Sequence, residues 1–283
     1  MSEFNRSDKK YKDRYKKEDR MSKNGESHDK AQPKERMDEL MVEGRNPVQE
    51  ALKAGEKADK LYIQEGIKDG PVNVIAGLAR SLGVLTVYVP KEKLDEMSST
   101  GRHQGVILNL SAVAYAQVDD ILKKAEEAGE TPFVIILDGV EDPHNLGAII
   151  RSANLAGAHG VIIPKHRSAT VNATVARASA GAVYHTLISK VTNISQTIDQ
   201  LKERGMWFVC ADMDGQVMYD LDLTGPVGLV VGSEGSGVSR LVKEKCDMIA
   251  SIPMKGDIDS LNVSVAAGIL AWEIVRQNAA LKR

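Results

Sequence analysis

The chain has 283 residues, of which 42% are hydrophobic, and its formal net charge at pH 7 is −2. This length allows two packed domains, and the lack of any apolar run near ~20 residues excludes a membrane-spanning helix. Only 4% of the residues are aromatic, which excludes an extensive base-stacking platform. The charged start of the chain shows no signal peptide, so we expect a cytoplasmic protein.

Residues 1–38 are predicted to form a disordered charged tail. The first 36 residues contain 12 Lys/Arg, 8 Asp/Glu and no Leu, Ile or Val, so burial cannot offset the entropy of ordering them. The tail is either a solubilising leader or an electrostatic arm for nucleic acid.

Residues 39–112 alternate between helical and extended patterns, which predicts a small α/β domain. The predicted helices are 46–54, 72–82 and 91–98, and the predicted strands are 60–63, 84–89 and 105–110. The segment Gly101-Arg-His-Gln-Gly105 is a glycine-bounded turn before the last strand, either a plain polar turn or a contact surface. Residues 113–130 are predicted to be a linker that ends in a short charged helix.

Residues 131–283 are predicted to form a doubly wound parallel sheet with a ligand at the carboxyl ends of its strands. The apolar run Phe133–Leu137 is typical of a buried parallel strand, and Val227–Val231 repeats the pattern. Further strands are predicted at 160–163 and 207–210, and further helices at 172–180 and 194–204.

A first polar motif follows the strand Phe133–Leu137. Asp142 and Pro143 are typical of a helix start, and Gly157 is typical of its end. Asn145 and Arg151 lie six residues apart on this helix. Arg151 is therefore either a surface residue or an anion-binding group near the carboxyl edge of the sheet.

A second motif contains glycines at 232, 235 and 237. Its spacing is G-x-x-G-x-G, whereas a dinucleotide fingerprint is G-x-G-x-x-G. Glu234 also argues against a dinucleotide, because a carboxylate repels a pyrophosphate. A ligand with positive charge or many donors fits better; taken alone, the loop is a tight turn with a solvated Glu.

A third motif runs from Ile252-Pro to Ser260-Leu-Asn-Val-Ser264 and opens an apolar helix. Ser260 and Asn262 are ordinary helix caps. The free N–H groups and positive dipole end of that first turn would also hold a polar ligand edge.

Together the three motifs resemble those of the SpoU (TrmH-like) branch of the SPOUT RNA methyltransferases, over residues about 131–283. The matches are Asn145, Gly147 and Arg151; Gly232, Glu234 and Gly237; and Ile252-Pro with Ser260 to Ser264. Upstream, Glu43-Gly-Arg-Asn-Pro and Arg102-His-Gln-Gly105 resemble the small L30e-like substrate domain of the bacterial subgroup that 2′-O-methylates a guanosine in 23S rRNA.

The resemblance implies a C-terminal trefoil-knot domain that binds S-adenosylmethionine, and a homodimer with active sites at the shared interface. It implies that backbone at Gly232, Ile252 and Leu261 holds the cofactor, and that the catalytic set is Arg151, Asn145, Glu234, Ser260 and Asn262. Because a guanidinium has a pKa above about 12, we expect Arg151 to bind a phosphate and orient the hydroxyl rather than act as the base. Arg102 is expected to contact an RNA phosphate, with Arg45 and Asn46 as further candidates.

The leading functional hypothesis is 2′-O-methylation of a ribose in 23S rRNA. The alternatives are the same chemistry on transfer RNA, and a non-catalytic RNA-binding module of the same fold. Residues 37–283 carry a net charge of −6, so RNA binding requires clustered basic residues; the candidates are Arg102, Arg151, Lys165, His166, Arg167 and Arg177. Cys210 and Cys246 lack a metal-ligand spacing, so reduced thiols are expected and no metal site is predicted.

Overall fold

The computed structural model describes residues 41–67, 69–256 and 260–281, so the tail predicted at 1–38 lies outside the described residues. The first part forms a four-stranded sheet with strand order β1-β4-β2-β3. Its strands are β1 (Met41–Glu43), β2 (Ala58–Gln64), β3 (Leu85–Val89) and β4 (Val106–Leu110). Three helices accompany them: α1 (Arg45–Lys53), α2 (Gly70–Ser81) and α3 (Lys91–Met97).

The second part forms a six-stranded sheet of order β10-β8-β9-β5-β6-β7, and every adjacent pair is parallel. Its strands are β5 (Phe133–Asp138), β6 (Gly160–Pro164), β7 (Leu187–Val191), β8 (Trp207–Val217), β9 (Val227–Gly232) and β10 (Met248–Ser251). Its helices are α4 (Val118–Ala128), α5 (Pro143–Leu155), α6 (Ala173–Ala178), α7 (Ile194–Lys202), α8 (Arg240–Lys243) and α9 (Val263–Leu281). The mixed α/β fold with a parallel sheet is confirmed, and the trefoil knot stays a prediction of the resemblance.

Both faces of the larger sheet are covered, which explains the unbroken apolar run of β5. Ile135 and Leu137 point into the layer that contains α5 and α9. Val134 and Ile136 point into the opposite layer, which contains α4 and α7. Alternate residues of one strand therefore fill two separate cores.

The segment 113–130, expected to be a linker that ends in a short charged helix, contains α4, which contributes to the core on the α4–α7 face of the larger sheet. The buried face of α4 includes Ile121 and Ala125, and Ile121 packs against strand residues such as Val134. A side chain added at Gly160 would collide with Ile121. The charged residues of α4 form its solvated face. The domain boundaries stay predictions.

Most predicted elements agree with the structure to within a few residues. The main exception is β8, which was predicted to end at residue 210 and continues to Val217. β1 and β7 were not predicted. Among the described residues, no helix combines the length and hydropathy needed to span a membrane.

A buried charged cluster joins the two sheets. Asp59 of β2 has a fully buried side chain, and Lys190 of β7 donates to its Oδ1 atom. The hydroxyl of Tyr115 donates to the same oxygen at 3.0 Å, and the Lys190 ammonium lies 4.5 Å from the Tyr115 ring centroid. Burial lowers the pKa of Lys190, although the charge of Asp59 opposes this shift. The ion pair therefore anchors the small sheet to the edge strand of the larger one.

We expect Lys190→Met to lower the free energy of unfolding by about 3–5 kcal/mol, because it leaves the Asp59 carboxylate buried without its cation. Urea denaturation measures the loss. The double variant Asp59→Asn, Lys190→Met should recover a large part of it, since no buried charge remains. A loss below about 1 kcal/mol in the single variant, as for an exposed ion pair, would contradict this account.

Candidate active site

Three side chains from distant segments form one hydrogen-bonded network at the carboxyl edge of the larger sheet. Asn145 of α5 donates through Nδ2 to Glu234 Oε1 at 2.5 Å. Asn262 donates through Nδ2 to the same oxygen at 2.9 Å and to Asn145 Oδ1 at 3.0 Å. The first, second and third predicted motifs therefore converge.

Asn262 has two roles at once. Its Oδ1 atom accepts from the backbone N–H of Ser264 at 2.9 Å, which caps the start of α9, while its Nδ2 atom belongs to the network. The cap interpretation is confirmed for this residue, and its role in an active site stays a prediction. Ser260 is exposed, and its side chain makes no hydrogen bond to any residue that the structure describes.

The glycines of the second motif serve the loop itself. A Cβ atom at Gly232 would lie 2.0 Å from the carbonyl carbon of Gly237, so this glycine lets the loop fold back on β9. Gly237 has φ +63, and it exchanges two backbone hydrogen bonds with Ser233. Gly232 and Gly237 therefore have a steric role, which is closure of the loop that carries Glu234, and the binding of a cofactor by the Gly232 backbone stays a prediction.

Gly147 of the first motif also has a steric role. A Cβ atom there would lie 2.5 Å from the Cβ of Ala178. The glycine allows α5 and α6 to pack closely, which fixes the helix that carries Asn145.

Arg151 lies on a different face of α5 from Asn145. Six residues of helix separate them by about 9 Å along the axis and about 120° around it. Arg151 is exposed and makes no hydrogen bond or ion pair within the described residues. Leu155, one turn further along this face, is 66% exposed. Within one chain, neither Asn145 nor Glu234 contacts the arginine.

The third motif also carries apolar side chains. Leu261 is 36% and Met254 is 40% exposed, and Ile252 packs at the edge of the larger core. The predicted cofactor residues Ile252 and Leu261 thus lie on the loops between β10 and α9, and Gly232 lies at the end of β9.

A cleft of about 840 Å³ opens over the carboxyl ends of β5, β6 and β7. Asn145 and Glu234 line it, together with Asp138, which the sequence interpretation missed. Asp138 ends β5 and accepts from the backbone N–H of Ser239 at 2.8 Å, so it fixes the far end of the glycine loop. Its position directly after an apolar strand was the available signal.

On the small sheet, Glu43 organises the loop before the Arg102 turn. Its carboxylate accepts from the Ser98 hydroxyl at 2.5 Å, from the Thr100 hydroxyl at 2.6 Å and from the Ser99 backbone N–H at 2.7 Å. Burial alone would raise the pKa of Glu43, but these hydrogen bonds outweigh it and lower the pKa to about 2. The ionised carboxylate of Glu43 thus supports the loop.

The predicted RNA-binding residues lie at one edge of the small sheet. Arg45 is partly occupied, since its Nε donates to Gln104 O at 3.1 Å and its guanidinium pairs with Asp69 at 2.7 Å. Arg102 and Asn46 are exposed, and their side chains have no hydrogen-bond partner among the described residues. This edge is at the opposite end of β2 from the Asp59 cluster.

The described residues contain no group of three or more His, Cys, Asp and Glu side chains that could hold a metal ion. Cys210 and Cys246 are both free thiols, and a hydrogen bond with Cys210, together with burial, raises the pKa of Cys246.

Two protein-family models match this chain. The "SpoU rRNA Methylase family" matches residues 132–272, and "RNA 2'-O ribose methyltransferase substrate binding" matches residues 41–116. A Bacillus subtilis (strain 168) protein, named for the TrmH family of tRNA/rRNA methyltransferases, is 47% identical over 237 residues, which cover 83% of this chain and 95% of that protein. A Staphylococcus saprophyticus protein of the same family name is 44% identical over 242 residues, with 85% and 97% covered.

Solved structures also resemble the chain. The SpoU methyltransferase AviRb from Streptomyces viridochromogenes, in complex with AdoMet, has a TM-score of 0.54 and 25% identity, covering 85% of this chain and 90% of that one. An AdoMet-bound rRNA methyltransferase from Sinorhizobium meliloti has a TM-score of 0.53 and 28% identity, with 84% and 87% covered. A TrmH/SpoU tRNA modifying enzyme from A. aeolicus has a TM-score of 0.50 and 29% identity, but covers 57% of this chain and 86% of its own.

The hydrogen bonds to Glu43 predict a pH-dependent contribution to stability. Because its folded-state pKa is lowered to about 2, this contribution is complete above the ordinary pKa of about 4.5 and is lost as the pH falls toward 2. Glu43→Gln should therefore be less stable than the parent at about pH 6, and the difference should shrink at about pH 3.

Urea denaturation at the two pH values measures this difference. Glu50→Gln is the matched control, because Glu50 is an exposed carboxylate in the neighbouring helix, and it should change stability by less than about 0.5 kcal/mol. A difference for Glu43→Gln that stays constant between the two pH values would mean that the charge of Glu43 is not the cause.

Proposed function

The chain belongs to the SpoU/TrmH family of RNA methyltransferases, and we propose that it transfers a methyl group from S-adenosylmethionine to a ribose 2′-oxygen, of a guanosine in 23S ribosomal RNA. The observation that carries this proposal is the network of Asn145, Glu234 and Asn262. It unites the three family motifs at the edge of a parallel sheet, where ligands of such folds bind.

The residues around the network fit S-adenosylmethionine, which supplies an electrophilic methyl group on a sulfonium. Glu234 offers a carboxylate to a cation, and the exposed apolar side chains of Leu261 and Met254 offer contact surface to its uncharged parts. The two AdoMet-bound neighbours support the same cofactor here. Gly232, Ile252 and Leu261 are the proposed cofactor-binding residues.

The proposed role of Arg151 is to hold the RNA phosphate beside the target ribose and to orient its 2′-hydroxyl. A guanidinium is a fixed cation with several donors, so it also stabilises negative charge that develops on the oxygen. Positioning of this kind supplies a large part of the barrier reduction. Asn145, Glu234, Ser260 and Asn262 are proposed to complete the site.

Arg151 does not reach the network of its own chain, which supports action across a homodimer interface. Apolar side chains are exposed on α5, which carries Arg151, and on α9. They are Leu155 on α5, and Val265 and Trp272 on α9, which are 46% and 48% exposed. A two-fold dimer through these helices would exchange the two arginines symmetrically. We therefore place each active site between Arg151 of one subunit and the network of the other.

Ribosomal RNA is favoured over transfer RNA by the small domain. The match to "RNA 2'-O ribose methyltransferase substrate binding" covers that domain, and the rRNA methyltransferase of S. meliloti covers 84% of this chain. The tRNA modifying enzyme covers only 57%, little more than the larger domain. Arg102, Arg45 and Asn46 are the proposed RNA contacts of the small domain, in a cytoplasmic enzyme.

Incubation with labelled S-adenosylmethionine and separated 16S, 23S and transfer RNA from cells that lack the protein tests the proposal. We expect label in 23S rRNA alone, at a nucleotide that then resists alkaline cleavage. Label in transfer RNA would overturn the rRNA assignment, and no label in any RNA would overturn the enzyme assignment.

Mixing of two inactive variants tests the role of Arg151 across the interface. Arg151→Ala and Asn262→Ala should each reduce methylation by at least about 100-fold, while Arg151→Ala keeps the affinity for S-adenosylmethionine. If Arg151 acts on the partner, co-refolded mixed dimers contain one complete site, and equal mixing restores about one quarter of the complete sites.

The control is each variant refolded alone, which should stay inactive. A mixture as inactive as its components would show that Arg151 and Asn262 act within one chain. Turnover of Arg151→Ala close to that of the parent would contradict any role for the arginine in methyl transfer.

A further inference from the structure

The cleft beside the network is lined by charged side chains of both signs. Its lining includes four carboxylates, Asp138, Glu141, Asp142 and Glu234, and the pair His166 and Arg167 on the turn that follows β6. A polyanionic RNA is repelled by the carboxylates and attracted by the guanidinium of Arg167, which favours approach of its backbone along the His166–Arg167 turn.

Three of the acids, including Glu234 of the network, already have structural partners, and the basic side chains do not. Asp138 accepts from Ser239 N, and Asp142 caps α5 through His144 N at 3.0 Å. His166 and Arg167 are exposed, and neither side chain makes a hydrogen bond or ion pair within the described residues. The guanidinium of Arg167 is therefore available to an external anion.

Arg167 keeps a backbone conformation that favours glycine. Its φ is +54, which costs a non-glycine residue roughly 1 kcal/mol. The following residues hold this turn, since Ala169 N donates to Val140 O at 3.0 Å and Lys60 Nζ donates to Ser168 O at 3.3 Å. An exposed arginine at a position where glycine is more stable points to a function for its side chain.

Further basic residues lie between the His166–Arg167 turn and the small sheet. Lys165 precedes the turn, and Lys60 of β2 contacts it. Both lie close enough to Lys190 for their charges to lower its pKa, in addition to the larger effect of burial. Lys190 is paired with Asp59, whereas Lys60 and Lys165 form no ion pair with any described residue.

We propose that Arg167, assisted by His166, binds an RNA phosphate at the mouth of the cleft while the target nucleoside enters it. This inference rests on the proposed function and deepens it, because it assigns the path of the RNA backbone from the small sheet to the site. Arg167 is a positioning residue, and Arg151 remains the proposed group at the reacting hydroxyl.

Two substitutions at one position separate charge from backbone conformation. Arg167→Gly removes the charge and suits the positive φ, so thermal stability should be unchanged or higher. Arg167→Lys keeps the charge and the strain. Arg204→Gly is the matched control, because it removes an arginine at the amino edge of the sheet, where Arg204 pairs with Asp119.

The measurement is the affinity for unmethylated 23S rRNA, with S-adenosylhomocysteine present, as a function of KCl concentration. Loss of one phosphate contact should make the slope of log Kd against log salt shallower by about 0.7–0.9. We expect this change, with roughly tenfold weaker binding at low salt, for Arg167→Gly alone. Arg167→Lys and Arg204→Gly should keep the parent slope, and all variants should bind S-adenosylhomocysteine equally.

An unchanged slope in Arg167→Gly would overturn the inference, whether or not the affinity falls, because a structural effect alone does not remove counterion release. This outcome is distinct from failure of the proposed function, which is read from methyl transfer by the parent protein. If the parent methylates 23S rRNA and Arg167→Gly keeps its slope, only the assignment of Arg167 fails.

Discussion

The candidate site depends on the hydrogen bonds that Glu234 Oε1 accepts. Asn145 and Asn262 both donate to it, although they come from segments 117 residues apart. Such a meeting requires that β5, β9 and β10 all end at one edge of the sheet, which an all-parallel arrangement provides. The glycines around the network serve this convergence, since Gly232 closes the loop that carries the acceptor.

Several parts of the fold could be predicted from local patterns. The run Phe133–Leu137 is apolar because both faces of β5 are buried, and Asp142 with Pro143 marks the start of α5 as a cap and first turn. These signals are local, so sequence spacing alone reveals them. The charged helix predicted at the end of segment 113–130 is α4, but its contribution to the core was not predicted, because polar residues outnumber the buried ones such as Ile121 and Ala125.

The missed features depend on tertiary contacts. Asp59 and Lys190 are 131 residues apart, and neither occurs in a pattern that predicts burial. The positive φ of Arg167 has no sequence signal at all, because arginine is not a residue that favours it. The motif residues Asn145, Glu234 and Asn262 could be singled out through resemblance, but the position of Arg151 away from them followed only from the exposed face of α5.

The ion pair between Asp59 and Lys190 also fixes one end of β2 to the larger sheet. The strand runs from this anchor to Gln64, whose backbone N–H donates to Gly105 at the Arg102 turn, a span of about 17 Å. Because one end of β2 is fixed by this ion pair, the strand sets the distance between the Asp59 cluster and the Arg102 turn. The proposed RNA contacts at the Arg102 turn and at the cleft are therefore held at a fixed separation, which favours a folded RNA over a flexible single strand.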